Sequence, residues 1–186
     1  MNTYSLAGIH TRVKPEKSRI NVEKSGFMRI LNKYDFGKCI GIHKLEKQNQ
    51  EEGKVGNTVL MRGDTVAAFT QELFQKAGMS EADARYHADC LVKTNYWGID
   101  SHGVIRIPAY FKRMLNGAIN VNPDIRVIRG EGCLEVMDAD AAAGFIGGRA
   151  GMERAMENAA KNGIAAVGMI NSNHFGAGAL YAWMAA

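Results

Sequence analysis

The sequence predicts an α/β fold with a helical preface. Three observations carry that prediction. Residues 64–97 hold apolar side chains at helical spacing, interrupted by a stop and a capping signal. Residues 125–138 alternate in the manner of a hairpin. Residues 164–170 form a continuous apolar run that a polar turn and a new helix follow.

In DTVAAFTQELFQKA (64–77), Val66, Phe69, Leu73 and Phe74 fall on one helical face, and Gly78 closes the helix. Ser80, with Asp83 three residues on, is a capping-box-like start. The helix it opens runs to about Trp97 and buries Ala84, Ala88, Leu91 and Val92. GIDSHG (98–103) reads as a loop, and a third helix is expected over 104–116 with Gly117 as its stop. IRVIR (125–129) and CLEVMD (133–138) alternate around Gly130-Glu131-Gly132. The Gly/Ala-rich DADAAAGFIGG leads into a helix at about 145–161 that Asn162-Gly163 ends. IAAVGMI (164–170) is expected to be a strand buried on both faces, and a last helix to begin near Ala179.

The chain of 186 residues divides by charge. Residues 1–60 hold 11 Lys+Arg against 6 Asp+Glu, and residues 61–186 hold 12 against 13. The basic surplus therefore belongs to the first third, and a basic nucleic-acid face in the remainder is not supported. Residues 1–60 read as a poorly patterned basic extension. Fragments such as GFMRIL and KCIGI could form short strands, and 44–57 reads as a polar linker. Met61 as the natural start, with residues 1–60 from an overlong reading frame, is one expectation for this part. Residues 61–120 form a helical part and residues 121–186 the beginning of an α/β domain. The chain stops inside a helix at Tyr181–Ala186 with no capping residue, which predicts an interrupted sequence. No apolar run reaches the roughly 20 residues that cross a bilayer, and no secretory signal is present, so a cytoplasmic protein without membrane or nucleic-acid partners is expected. Cys39, Cys90 and Cys133 form neither a CxxC nor a Cys/His cluster, so neither a disulfide framework nor a metal site is expected.

Two stretches carry side chains suited to chemistry. His102, Arg106 and Tyr110 are spaced i, i+4, i+8, which on a helix gives one face drifting by about 40° per step. An arginine there can grip a carboxylate, and a histidine can exchange a proton near neutral pH. Pro108 means that the helix either begins late or kinks. An ordinary cationic helix face is the alternative. The second stretch, NSNHFGAG (171–178), follows a strand and precedes a helix, the junction where open α/β sheets bind ligands. His174 is its proton-exchange candidate, and N–H groups at the following helix start can meet a phosphate or carboxylate. It is neither GxGxxG nor a P-loop, and a polar turn with a satisfied histidine is its alternative. His87 is expected to be packed, Asp138 and Asp140 to serve a turn, and His10 and His43 to have no role.

GIDSHGVIRIPAY (98–110) and INSNHFGAGALYAWMAA (170–186) resemble the two best-marked stretches of the malate/L-lactate dehydrogenase family that is unrelated to the Rossmann lactate dehydrogenases. That family includes ureidoglycolate and sulfolactate dehydrogenases and diketogulonate and piperideine-2-carboxylate reductases. The resemblance covers about 62–186. It implies a helical N-terminal part and a mixed-sheet domain binding NAD or NADP, in a protein that pairs as a homodimer. It also implies hydride transfer between the cofactor and a small 2-hydroxy or 2-oxo acid. His102 and His174 correspond to the catalytic histidines, either of which serves as acid/base. Arg106 corresponds to the carboxylate clamp and Ser101 and Tyr110 to pocket positions, while Gly176 and Gly178 are candidates for the cofactor. Family members run well beyond Ala186 and carry most cofactor contacts there, so an inactive truncated remnant is the alternative expectation.

Overall fold

A computed structural model describes residues 19–23 and 58–186. The fragments GFMRIL and KCIGI and the linker 44–57 lie outside the described residues. The first strand, β1 (Arg19–Glu23), pairs antiparallel with β2 (Thr58–Arg62), so that Ile20 faces Met61 in register. Both side chains are buried in the core. This pairing runs across residue 60 and adds an element to the first third, where only the five-residue alternation of Arg19–Glu23 marks one.

Helix α1 (Gly63–Lys76) buries Val66, Phe69, Leu73 and Phe74, the face the spacing predicts. Gly78 takes φ +100° just beyond it. Helix α2 (Glu81–Tyr96) starts where expected: the Ser80 hydroxyl accepts the Asp83 N–H at 3.2 Å. Its buried face includes Ala84, Ala88, Leu91 and Val92, and it packs along α1.

The third helix starts later than 104. Residues Asp100–His102 and Val104–Arg106 form two short 3-10 turns, and α3 (Ile107–Leu115) then begins with Pro108 in its first turn. The proline needs no N–H partner there. His102, Arg106 and Tyr110 therefore do not lie on one continuous helix. The chain bends at Gly103, whose missing side chain leaves room for Asn95: a Cβ would come within 1.9 Å of Asn95 Oδ1.

The second layer is a three-stranded mixed sheet in the order β3-β4-β5. β3 (Arg126–Glu131) runs antiparallel to β4 (Leu134–Asp138), with an irregularity at Ile128. The hairpin closes tightly at Gly132-Cys133, because Glu131 pairs with Leu134. β5 (Ala166–Ile170) is parallel to β4, and the crossover is α4 (Gly144–Asn162), which ends on left-handed Gly163. Arg154 of α4 grips Glu135 of β4 through two hydrogen bonds of 2.6 and 2.7 Å, tying helix to sheet. That pairing holds the Glu135 carboxyl below its usual range.

β5 is not buried on both faces. Its residues alternate between exposed and half-buried. Val167 and Met169 pair with Glu135 and Met137, the residues turned toward α4, whereas Leu134 and Ile170 are exposed on the other side. The apolar run reads as doubly buried because its composition suits a covered strand, but among the described residues only α4 covers it. The last helix, α5 (Ala179–Ala185), returns to the front layer. There Lys93 of α2 lies over Trp97 and over Trp183 of α5, at 5.1 and 4.6 Å from the ring centres.

The two layers meet at α2 and α4. Arg149 pairs with Asp83 at 2.7 Å and covers the Tyr86 ring. Phe145, fully buried in the first turn of α4, packs on His87 of α2 and Tyr110 of α3. His87 is packed, as expected, and its two ring nitrogens have no hydrogen-bond partner. Cys90 is buried and Cys133 exposed. Among the described residues no His/Cys/Asp/Glu group is arranged to hold a metal ion, and no helix is long and apolar enough to cross a membrane.

Candidate active site

The first half of the site is the bent segment 100–106. Asn95, nearly buried near the end of α2, holds it: its carboxamide oxygen accepts the Val104 N–H at 2.7 Å, and its NH2 donates to Asp100. Within the segment, Ser101 Oγ meets His102 Nδ1 at 2.9 Å. Arg106 Nε donates to the Ser101 carbonyl at 2.6 Å, and the residue is exposed. One turn on, Tyr110 is buried on α3.

The second half is the loop leaving the carboxyl end of β5. Asn171 adopts φ +51°, and its carboxamide donates to Asp138, whose carboxylate also accepts the Asp140 N–H. Asp138 thus serves the turn, as expected. Loop and α4 approach closely because position 144 is glycine: a Cβ there would lie 2.2 Å from the His174 carbonyl oxygen. Gly176 takes φ +74°, and a Cβ on it would strike Phe145 at 2.3 Å. Gly178 stands at the head of α5.

These halves converge. The rings of His102 and His174 stack with centres 5.4 Å apart and planes 29° from parallel. Tyr110 Oη meets His174 Nδ1 at 2.7 Å. With both Nδ1 atoms engaged, by Ser101 in one ring and Tyr110 in the other, the two Nε2 atoms remain for exchange with a ligand. Partial burial lowers the His174 pKa, and the neighbouring His102, Arg106 and Arg113 lower it further. Burial pushes the Tyr110 phenol up to about 12, so it keeps its proton across the neutral range. The result is a cationic niche with a neutral imidazole in it, open to solvent beside the exposed Phe175 ring.

Comparison with known proteins identifies the family of the chain. Residues 61–186 match the family described as malate/L-lactate dehydrogenase. The chain belongs to that family. It is 39% identical over 137 residues to malate dehydrogenase of Pyrococcus abyssi, an alignment covering 73% of this chain and 38% of that protein. To L-sulfolactate dehydrogenase of Methanocaldococcus jannaschii it is 34% identical over 114 residues, 61% of this chain and 33% of the relative. The solved structure of malate dehydrogenase from Pyrococcus horikoshii superposes with a TM-score of 0.65 at 37% identity, covering 67% of this chain and 36% of that one. The chain therefore spans little more than a third of the length of these relatives. Over the matched residues its fold is the α/β architecture of this family's dehydrogenases, with a helical layer before a mixed sheet.

Among the residues expected from sequence, Ser101, His102, Arg106, Tyr110 and His174 come together in this member of the malate/L-lactate dehydrogenase family. Gly176 and Gly178 lie on the same loop but meet the Phe145 and Phe175 rings, respectively. Sequence reasoning missed Asn95, Arg113 and Asn173. Arg113 Nη2 donates to Asn173 Oδ1 at 2.6 Å, and Asn173 Nδ2 donates to the carbonyls of Ala118, Ala141 and Ala142 at 3.1, 2.8 and 3.1 Å. The one signal available was the placement of Asn173 directly before His174.

Proposed function

We propose that the protein is an oxidoreductase that moves a hydride between a nicotinamide cofactor and a small 2-hydroxy or 2-oxo acid, malate-like or lactate-like. The observation that carries this reading is the stacked His102–His174 pair beside Arg106 at the carboxyl end of β5. Two imidazoles and a guanidinium around one small opening suit a substrate with an anionic carboxylate and an adjacent oxygen that gains or loses a proton.

In this reading Arg106 holds the substrate carboxylate, and Ser101 fixes the arginine through its carbonyl and His102 through its hydroxyl. His174 exchanges the proton at Nε2. Its lowered pKa leaves it neutral at pH 7, ready to take the hydroxyl proton during oxidation. Tyr110 orients the ring through Nδ1. His102 donates to the substrate oxygen from its own Nε2 and steadies it as charge develops. The chemistry of the loop fits a nicotinamide cofactor, NAD or NADP: the exposed Phe175 ring and the Gly176–Gly178 backbone follow His174 in the loop beyond β5, and these residues would hold it. When bound, that cofactor supplies the hydride acceptor or donor. The reading also carries homodimeric association, a cytoplasmic location and a division at about residue 120 between a helical part and a cofactor domain.

Two relatives illustrate the range of names in the family: "Hydroxycarboxylate dehydrogenase B" and "Ureidoglycolate dehydrogenase (NAD(+))", both of Escherichia coli. Absorbance of reduced nicotinamide, followed for the full-length protein against a panel of 2-oxo and 2-hydroxy acids, tests the proposal. Turnover of at least one acid is expected. Arg106→Ala should lower kcat/KM by about 2–3 kcal/mol of lost charged hydrogen bonding. No turnover with any acid, or an Arg106→Ala variant with unchanged kinetics, removes the assignment.

A further inference from the structure

Asn173 makes more side-chain hydrogen bonds than the histidine beside it. Its orientation is unambiguous, because a guanidinium only donates and carbonyls only accept. Oδ1 must therefore face Arg113 and Nδ2 must face the carbonyls of Ala118, Ala141 and Ala142. One carboxamide thus joins three places: the last turn of α3, the segment just beyond it, and the turn that leads from β4 into α4. Its own N–H also points to the Ala142 carbonyl at 3.3 Å. On the other side, Gly144 lies against the His174 carbonyl, and Tyr181 donates to the Phe175 carbonyl at 2.5 Å. The backbone of 173–175 is thereby held from α3, from α4 and from α5.

We propose that Asn173 is a positioning residue: by tying Arg113 to the three carbonyls it fixes His174 opposite His102 and next to Tyr110, and so sets the efficiency of proton exchange. Asn173 itself touches neither substrate nor cofactor. The proposal rests on the reading of His174 as the proton-exchanging group. Its physical basis is that a proton transfer needs donor and acceptor within hydrogen-bond reach, and a displacement of about 1 Å costs as much as 100-fold in rate. The groups that face His174 are His102 and Arg106 from the bent segment and Tyr110 and Arg113 from α3. Release of the loop moves the imidazole away from all of them.

The test compares the full-length parent, Asn173→Ala and Asn171→Gly. Asn171→Gly removes a hydrogen bond from the same loop at a positive φ that glycine accepts, but leaves the Arg113 tie intact. Asn173→Ala is expected to lower kcat by ~10–100-fold, with a much smaller change in KM because Arg106 is untouched. In an NMR titration of the ring, the His174 midpoint should rise toward the ordinary histidine range. Asn171→Gly should leave both quantities as in the parent. If Asn173→Ala lowers only the melting temperature, with kcat and the His174 titration unchanged, the residue is merely structural and the proposal is overturned. Should that variant not fold, Arg113→Lys and Arg113→Ala serve. Lysine keeps a cation and a donor and should retain most of the rate, whereas equal kinetics for alanine and the parent would overturn the tie. The titration needs no turnover. A His174 shift in Asn173→Ala without any oxidoreductase activity in the parent supports the tie and rejects the redox reading.

Discussion

The helical layer and the sheet layer bury their apolar residues to different extents. In the first, α1, α2 and α3 close around Leu73, Phe74, Leu91 and Ile107, each inaccessible to solvent, with Ile20 from β1 at the edge. In the second, every residue of β3 is exposed and β5 is only half covered. The site straddles this divide. His102, Arg106 and Tyr110 are presented by the closed layer, and His174 by a loop of the half-open one. A site assembled this way depends on the seam, and Phe145 is its central residue. Phe145→Ala should cost about 3–5 kcal/mol of unfolding free energy, because it empties space against His87 and Tyr110 and under Gly176. Urea unfolding measures it. A loss below about 1 kcal/mol would mean that the two layers are not coupled through this ring.

His87 sharpens the same comparison, because it lies on the closed side of the seam. It is fully buried between Phe74, Tyr110 and Phe145 without a hydrogen-bond partner, and burial pushes its pKa down to about 3. The unfolded chain binds a proton at this residue below about pH 6.5, and the folded chain does not. Its contribution is therefore complete above pH 6.5 and falls as the medium becomes more acid, by about 1.4 kcal/mol per pH unit, until pH 3. His87→Leu should flatten that decline. Unfolding midpoints at pH 7 and pH 5 for parent and variant test this, and an unchanged slope would place the acid sensitivity elsewhere. A smaller effect is expected where the two layers touch at the site. Tyr110→Phe keeps the ring and removes the hydroxyl that meets His174 Nδ1. It should lower kcat/KM of the full-length protein by about tenfold, the value of one hydrogen bond of about 1.4 kcal/mol, with little change in stability.

The closed layer was also the more legible one. Local rules suffice where a helix buries one face: Val66, Phe69, Leu73 and Phe74 could be read from spacing, and Ser80 from its capping chemistry. The meeting of His102 with His174 was legible only through the resemblance of two distant motifs, since nothing local joins residues 72 positions apart. The inferred mechanism of that meeting was incomplete. Of the two readings that Pro108 leaves open, the late helix start is the one observed, with Gly103 breaking the chain into two short turns before it and Asn95 holding the bend. Asn95 and Asn173 were not singled out from sequence, because asparagine is usually a surface residue and the partners here, backbone groups together with Asp100 and Arg113, are set by tertiary structure. β1 was missed for a similar reason: the register with β2 spans a long separation, and the alternation in Arg19–Glu23 covers only five residues. β5 was misjudged because an apolar run reports what a strand can tolerate on its two faces, not what covers them.

The open face of the sheet offers the smallest expected effect and the most direct check on the comparison. Leu134 is 64% exposed there, with Ile170 also exposed on the face that α4 does not cover. A side chain already in water loses little when it becomes polar, so Leu134→Thr in the 186-residue chain should shift unfolding free energy by no more than about 0.5 kcal/mol. Threonine also suits a strand, which removes a propensity term from the difference. A loss of about 2 kcal/mol would mean that something covers this face in solution. If the covering group is a second copy of the chain, the loss must grow with protein concentration, because association stabilises only by mass action. Unfolding curves at two concentrations a hundredfold apart separate the two cases, and an effect of Leu134→Thr that is small at both leaves the contrast between a closed layer and an open one intact.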